Sequence, residues 1–389
     1  MAARLLRSIH KVSATDWNAL NLCGQPFLRH EFLAALEDTG CVSSATGWIP
    51  NHIVLLNPQG TVIAAMPLYL KTHSMGEFVF DFSWAEFYNH HFSNAGLSYY
   101  PKLVSAIPFT PASGPRLLLA KNADPQLLRG ELITALNSFT EELKLSSAHV
   151  LFPHEEDLNA LKASGWLTRT QCQFHWFNRG YQSMEDFLSS FRADKRKKVR
   201  RERRRVLEEF GIQFKTLKGN ELNTELWQKV FSFSQTTFHQ HGHEHYLSPE
   251  FFQRIAQTLP TQVMVKLAEY RGEPVAAAIF FISNTTLFGR YWGAEHRFDS
   301  LHFETCYYQG IEFCIEQGLQ LFEPGTQGEH KIARGFEPTL TYSAHYVGNT
   351  HFHQILSDHL IRERQAVDHY AAELRAHTPF HRQTPSENP

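Results

Sequence analysis

The segment EPGTQGEHKIARGF, Glu323 to Phe336, gathers three glycines, two glutamates, a histidine, a lysine and an arginine into fourteen residues. Acyl transfer to an amine needs a base for the proton, donors for the oxyanion and a proton for the leaving group. Every one of those side-chain types is present here. Glu323, Glu329 and His330 are base candidates, and Lys331 is the candidate stabiliser of developing negative charge. Backbone N–H groups around Gly325 and Gly328 can form an anion-binding nest, and Gln327 lies between them. Lys331 and Arg334 stand three residues apart, so on a short helix both can face one cleft. Residue types alone leave phosphoryl transfer open, and a solvated, capped loop is the plainer alternative. Lys331 is expected on an exposed edge between loop and helix.

A second concentration of chemistry lies upstream. Ten of the fourteen residues from Arg192 to Arg205 are Lys or Arg. They belong to SMEDFLSSFRADKRKKVRRERRRVLEEFG, whose pattern predicts one long helix over 184–210, capped by Ser183 and stopped at Gly211. Leu188, Phe191, Val199, Val206 and Phe210 share a ~100° arc that faces a core. Lys197, Lys198, Arg200, Arg201 and Arg204 point elsewhere and suit phosphates or tRNA, which cations bind without sequence preference. A solvated basic face is the bland reading. Lys195 and Glu202 fall inside the apolar arc, where a charge needs a partner or a cleft.

Between these stretches RYWG closes an apolar strand, which offers Arg290, Tyr291 and Trp292 as substrate-binding candidates. His302 and Glu304 open the helix that follows, where free N–H groups favour anions. Simple capping by Ser300 is the alternative there. HQHGHEH, His239 to His245, sets four histidines at alternate positions but adds no Cys or Asp and matches no zinc spacing. A surface loop without metal is expected.

The elements that must carry these residues occur in a repeated order. A helix with Leu128, Leu132, Leu136, Phe139 and Leu143 leads to strand AHVLFP, short helix DLNALKASG and strand QCQFHWFN. A helix with Phe303, Cys306, Tyr307, Ile311 and Cys314 leads to strand LQLFEPG, short helix HKIARGF and strand TYSAHYVG. Each half opens with extended runs, NHIVLLN and TVIAAMPLYL in the first, VMVKLAEY, PVAAAIFFI and TLFGRYWG in the second. Strands followed by helix–strand–helix–strand predict a duplicated α/β (α+β) fold with mixed, largely antiparallel sheets. The expected domains are 1–178 and 179–376, the latter carrying the basic helix, with 377–389 as a disordered tail.

Bulk properties agree with a soluble protein. The 389 residues are 42% hydrophobic and 20% charged, with a formal net charge of −2, so no global field favours nucleic acid or membrane. The longest apolar run, VAAAIFFI, is far short of a bilayer span. Five cysteines without a CxxC spacing fit a reducing cytosol, and Cys306 and Cys314 read as inert core thiols. A cytoplasmic location is expected.

The C-terminal segment LQLFEPGTQGEHKIARGF resembles the signature of the FemA/FemX-type transferases, in which an acidic residue and glycines lead to a short helix bearing Phe-Lys-x-x-Phe-Gly. Lys331 takes the place of that lysine and Phe336 that of the later aromatic, with Ile332 following the lysine rather than Phe preceding it. Nearly the whole chain resembles the FemAB-like family of N-acyltransferases, through FVFDFSWAEFY, YYPKLVSAIPFTPASGPRLL, GRYWG, LHFETCYYQGIE and EPGTQGEHKIARGF. The resemblance implies two tandem GNAT-like domains and transfer of an acyl or aminoacyl group to an amine, a chemistry tied to peptidoglycan precursors. It places Tyr99, Tyr100, Lys102, Thr110 and Arg116 in a substrate cleft and Lys331 at the acyl-transfer transition state. GNAT domains that use acetyl-CoA carry a glycine-rich R/Q-x-x-G-x-G/A turn, whereas this chain has EHRFDSLHF there, with no glycine between Gly293 and Gly310. Aminoacyl-tRNA is therefore the favoured donor and acyl-CoA the alternative. An acetyl-CoA-dependent N-acetyltransferase and a non-catalytic RNA- or nucleotide-binding protein are the rival functions.

Overall fold

The structure, a computed structural model, describes residues 1–240, 242–326 and 328–381, with the backbone alone at Ala95. The chain divides into two compact units, and neither is contiguous. The first comprises residues 1–171, 246–258 and 340–368, and the second 172–245, 259–339 and 369–389. The contiguous division expected at 178 differs from this. The cause is pairing: Ser343–Val347 forms an antiparallel ladder with Ser147–Leu151, so the end of the chain returns to the first unit.

In the first unit Ala2–Leu6, His52–Leu56, Val62–Met66 and Leu118–Leu119 form an antiparallel sheet. A second sheet contains Trp48–Pro50, Tyr69–Lys71, Lys102–Ser105 and Ser147–Leu151, with one parallel pairing, Leu103↔Ala148 to Ser105↔Val150. Helix Pro125–Glu142 buries Leu128, Leu132 and Leu136 with Ile53, Leu55 and Val150 in one core.

The second unit is an antiparallel meander of Gln213–Lys218, Val263–Tyr270, Glu273–Ile282 and Thr286–Ala294. VAAAIFFI reads as unbroken apolar sequence because Glu273–Ile282 has a strand on each side and is buried almost throughout. Leu321–Glu323 then runs parallel to Thr286–Ala294 for three pairs, Thr286↔Leu321 to Phe288↔Glu323. A bulge between Ile279 and Phe280 pairs Ile279 with Tyr291 and Phe280 with Gly289, which leaves Arg290 as the extra residue.

The long basic helix is in fact two pieces, Met184–Ser189 and Ala193–Arg204, the latter continuing into a π turn, Arg205–Glu209. The break has a local and a distant cause. The hydroxyls of Ser189 and Ser190 donate to the carbonyls of Asp186 and Phe187 at 2.6 Å, competing with helical bonds. Arg192 is extended, and its N–H donates to Pro379 O at 2.9 Å. Phe191 is buried against Phe380, with ring centroids 5.3 Å apart. Residues 377–381, expected to be disordered, are thus packed. Residues 382–389 lie outside the described residues.

Candidate active site

The short 3-10 helix Glu329–Arg334 is drawn into the core of the second unit by Ile332 and by the following Phe336, which is 0% exposed. Lys331 goes in with them. It is 2% exposed, which corrects the expectation of an exposed edge. Its Nζ donates to Gly325 O at 2.5 Å and stands 5.9 Å from the Tyr307 ring centroid. Burial pulls its pKa from 10.5 down to about 7, with the Cys306 thiol acting in the opposite direction. Gly325 and Gly328 have φ of 96° and 102°, a backbone region that glycine enters without penalty. They fold the loop back so that a carbonyl meets the ammonium. Gln327 lies outside the described residues.

A 3-10 turn has three residues, so Lys331 and Arg334 lie on one side as expected. Arg334 is also buried. One guanidinium arm donates to His330 O at 2.6 Å and the other to both Glu202 oxygens at 2.9 and 3.0 Å. Glu202 also accepts from Tyr308 OH at 2.6 Å. Two residues expected to bind substrate are therefore bound to each other.

The base candidates separate. His330 Nε2 is 2.9 Å from Tyr307 OH, and partial burial, then Arg334 and Lys331, hold its pKa below the usual 6.5. Glu329 is exposed and accepts from Tyr370 OH at 2.6 Å. Glu323 is buried at the end of the parallel ladder, opposite Phe288. His302 stands beside the turn, its ring centroid 6.1 Å from His330 and 5.3 Å from Trp292. Burial, followed by the positive charge of His330, Arg334 and Lys331, brings its pKa to about 4.

The simple Ser300 cap, the alternative to an anion seat at the start of that helix, does not form. Ser300 is left-handed and makes no side-chain cap, and only Leu301–Phe303 is α-helical before a π turn. Glu304 is 0% exposed and accepts from Arg203 Nη2 at 3.0 Å and Gln309 Nε2 at 2.9 Å. Tyr291 is buried with its ring 5.0 Å from His245, while Arg290 and Trp292 are half-buried on the same strand. Lys197, Lys198, Arg200, Arg201 and Arg204 are exposed, whereas Val199 between them is buried. Lys195 is half-buried, 3.7 Å from Asp194.

In the first unit, Tyr99, Lys102, Thr110 and Arg116, expected in a cleft, are buried, and Tyr100 is half-buried. Tyr99 and Lys102 are 0% exposed; Tyr99 OH donates to Asp81 at 2.7 Å, and Lys102 Nζ donates to Asp81 at 2.5, Ser74 at 2.7 and Glu77 at 2.9 Å. Tyr100 OH is 2.8 Å from Ser74 Oγ. Thr110 is buried, and the Arg116 guanidinium donates to the carbonyls of Ala112, Gly114 and Pro115. Sequence reasoning missed Lys71, which burial brings to about 7, and Glu77, which burial raises to about 7. It also missed Tyr307, Tyr308 and Arg203, whose only sequence signal was a place on helices already singled out.

Among the described residues no group of three or more His, Cys, Asp or Glu is placed to hold a metal, and no helix is long and apolar enough to cross a membrane. His239 and His243 are exposed and the His245 ring lies tilted against Phe238, centroids 4.4 Å apart, while His241 lies outside the described residues.

A family described as peptidoglycan biosynthesis/recognition, FemAB-like, matches residues 8–382, and the chain belongs to it. Among solved structures it is similar to the DUF2156 C-terminal domain of an Agrobacterium fabrum protein described as a lysylphosphatidylglycerol synthetase, with TM-score 0.54 and 9% identity over 90% of this chain and 95% of that one. It is also similar to L-PGS from Bacillus licheniformis, with TM-score 0.52 and 11% identity over 89% and 98%. The crystal structure of FemX matches with TM-score 0.51 and 11% identity over 92% and 100%. At such identities the likeness establishes the fold alone, and the sheets themselves give the mixed, largely antiparallel α/β class expected from the sequence. No curated protein sequence matches the chain.

Proposed function

Because the chain is a FemAB-like protein, we propose that it is an N-acyltransferase that moves an acyl or aminoacyl group from an activated ester or thioester to an amine, with Lys331 at the reacting carbonyl. The observation that carries this reading is Lys331 itself. A lysine 2% exposed, held by one backbone carbonyl and titrating near neutrality, is held against the preference of the fold, and strain of that kind clusters where chemistry is done.

The acceptor nitrogen attacks the donor carbonyl carbon, a C–N bond forms, and the C=O electron pair moves to oxygen. Protonated Lys331 donates to that oxyanion, turning from Gly325 O. His330, neutral above its lowered pKa, takes the proton from the nitrogen and returns it to the departing ribose hydroxyl or thiol as the C–O or C–S bond breaks. The products are an amide and the free carrier. Exposed Lys197, Lys198, Arg200, Arg201 and Arg204 suit a phosphate-rich donor, which supports aminoacyl-tRNA over acyl-CoA. The family description supports an amine of a peptidoglycan-type precursor as acceptor, and a cytoplasmic site of action follows from such a donor.

Purified protein is incubated with an amine acceptor and either radiolabelled aminoacyl-tRNA or radiolabelled acetyl-CoA. Label appearing in a product stable to mild alkali, which cleaves the ester but not an amide, supports the reading from the tRNA arm. Label from the acetyl-CoA arm alone replaces the donor. Transfer in neither arm sinks the proposal.

A further inference from the structure

From Lys195 to Arg205 the chain carries a single acid, Glu202. A carboxylate needed only to relieve repulsion among those cations would stand in solvent. Glu202 instead has a side chain 11% exposed and three donated hydrogen bonds, two from Arg334 and one from Tyr308. Arg334, 4% exposed, spends its second arm on the carbonyl of His330. That carbonyl belongs to the peptide group joining His330 to Lys331. The guanidinium face lies 3.3 Å from the Phe303 centroid, so Arg334 is fixed in three directions. The turn is closed from the backbone as well, by Lys331 N to Gly328 O at 3.1 Å and Phe336 N to Lys331 O at 3.3 Å.

We propose that Glu202 is a positioning residue that, through Arg334, grips the peptide between His330 and Lys331 and so sets the catalytic turn. The inference rests on the acyl-transfer reading above for its kinetic consequence, though not for its structural one. The residue types are specific to the task. A guanidinium has two arms in a fixed fork and can serve a carboxylate and a carbonyl together, which an ammonium at the same place cannot do with the same geometry. A carboxylate balances a charge that would otherwise be buried alone. Without Glu202, Arg334 keeps its charge, loses its anchor and turns to other acceptors, and the His330 carbonyl is released with it.

The test uses Glu202→Gln, with Arg334→Lys as an independent route to the same loss. Lys331 is titrated by its rate of modification with acetic anhydride across pH, read at the peptide level by mass spectrometry in the intact protein. Folding is verified by circular dichroism. In each folded variant the Lys331 midpoint should rise by about one unit or more, because a loosened turn admits water to the ammonium. Turnover should fall roughly ten- to a hundredfold from misplacement, with the donor KM unchanged within about twofold. The double variant should be no worse than either single one, since both break one clamp, and Glu202→Asp should recover part of the turnover. An unchanged Lys331 midpoint in a folded variant overturns the proposal, as does a loss confined to KM. If the wild-type protein transfers nothing, the functional reading fails while the Lys331 midpoint still decides the clamp.

Discussion

Replacing Lys331 with methionine should stabilise the fold near neutral pH. Burial brings the lysine from 10.5 to about 7, so the unfolded chain holds the proton more tightly than the folded one. A depressed lysine pKa therefore opposes folding. Its unfavourable contribution is complete below the folded value of about 7 and fades as pH rises through the unfolded value of 10.5. A shift of about 3.5 units (10.5 − 7), at roughly 1.4 kcal/mol per unit, amounts to ~5 kcal/mol in acid and about 4 kcal/mol at pH 7. Methionine keeps a similar length of apolar chain but gives up the bond to Gly325 O, which is worth about 1–2 kcal/mol. The net expectation is a gain of roughly 2–3 kcal/mol at pH 7 and none at pH 10. Urea midpoints of wild type and variant at both pH values measure this, and their difference cancels the titration of every other group. A variant less stable than wild type at pH 7, or one equally stabilised at both pH values, refutes the reasoning.

Three further outcomes follow from the same geometry. Lys102→Met leaves the carboxylates of Glu77 and Asp81 buried without their shared cation, and should lose about 3–5 kcal/mol in urea unfolding; a loss under about 1 kcal/mol would contradict the network. With an acceptor amine neutral across the range, kcat/KM should rise with pH through the lowered His330 pKa and fall again through about 7 as Lys331 loses its proton. A profile with no alkaline limb near 7 removes the ammonium from the mechanism. Arg200→Glu with Arg204→Glu reverses two exposed charges; tRNA affinity should fall and its salt dependence flatten, whereas unchanged binding places the nucleic acid elsewhere.

The order of elements was legible where each obeys one periodicity: the strands Val263–Tyr270, Glu273–Ile282 and Thr286–Ala294, the helices with Leu128 and Ile311, and the two short helices after strands stand where the pattern put them, whereas the largely exposed edge strand Gln213–Lys218 has no apolar run to announce it. Boundaries that depend on distant partners were not legible. The break at Ser190–Arg192 has a local part, the Ser189 and Ser190 hydroxyls, and a distant part, Phe380 and Pro379, nearly 190 residues away in sequence, which no local pattern announces. Within the site, the apolar arc correctly marked Glu202 as needing a partner, yet nothing in the sequence pointed to Arg334 rather than a ligand. Lys331 stood out by its motif and was misjudged in exposure, because a charged loop hides the pull of Ile332 and Phe336 beneath it. Tyr99, Lys102 and Arg116 were placed in a cleft by the family resemblance, which does not show the acids and carbonyls that engage them in the fold.

The central claim is that the Lys331 ammonium stabilises the oxyanion of acyl transfer. Single-turnover transfer from a bound aminoacyl donor to an amine, compared between wild type and Lys331→Met, tests it most directly, because the variant is expected to be folded and more stable. The account predicts a rate lower by about 10²- to 10³-fold with donor affinity unchanged. Transfer at the wild-type rate would show that the buried lysine takes no part in the chemistry.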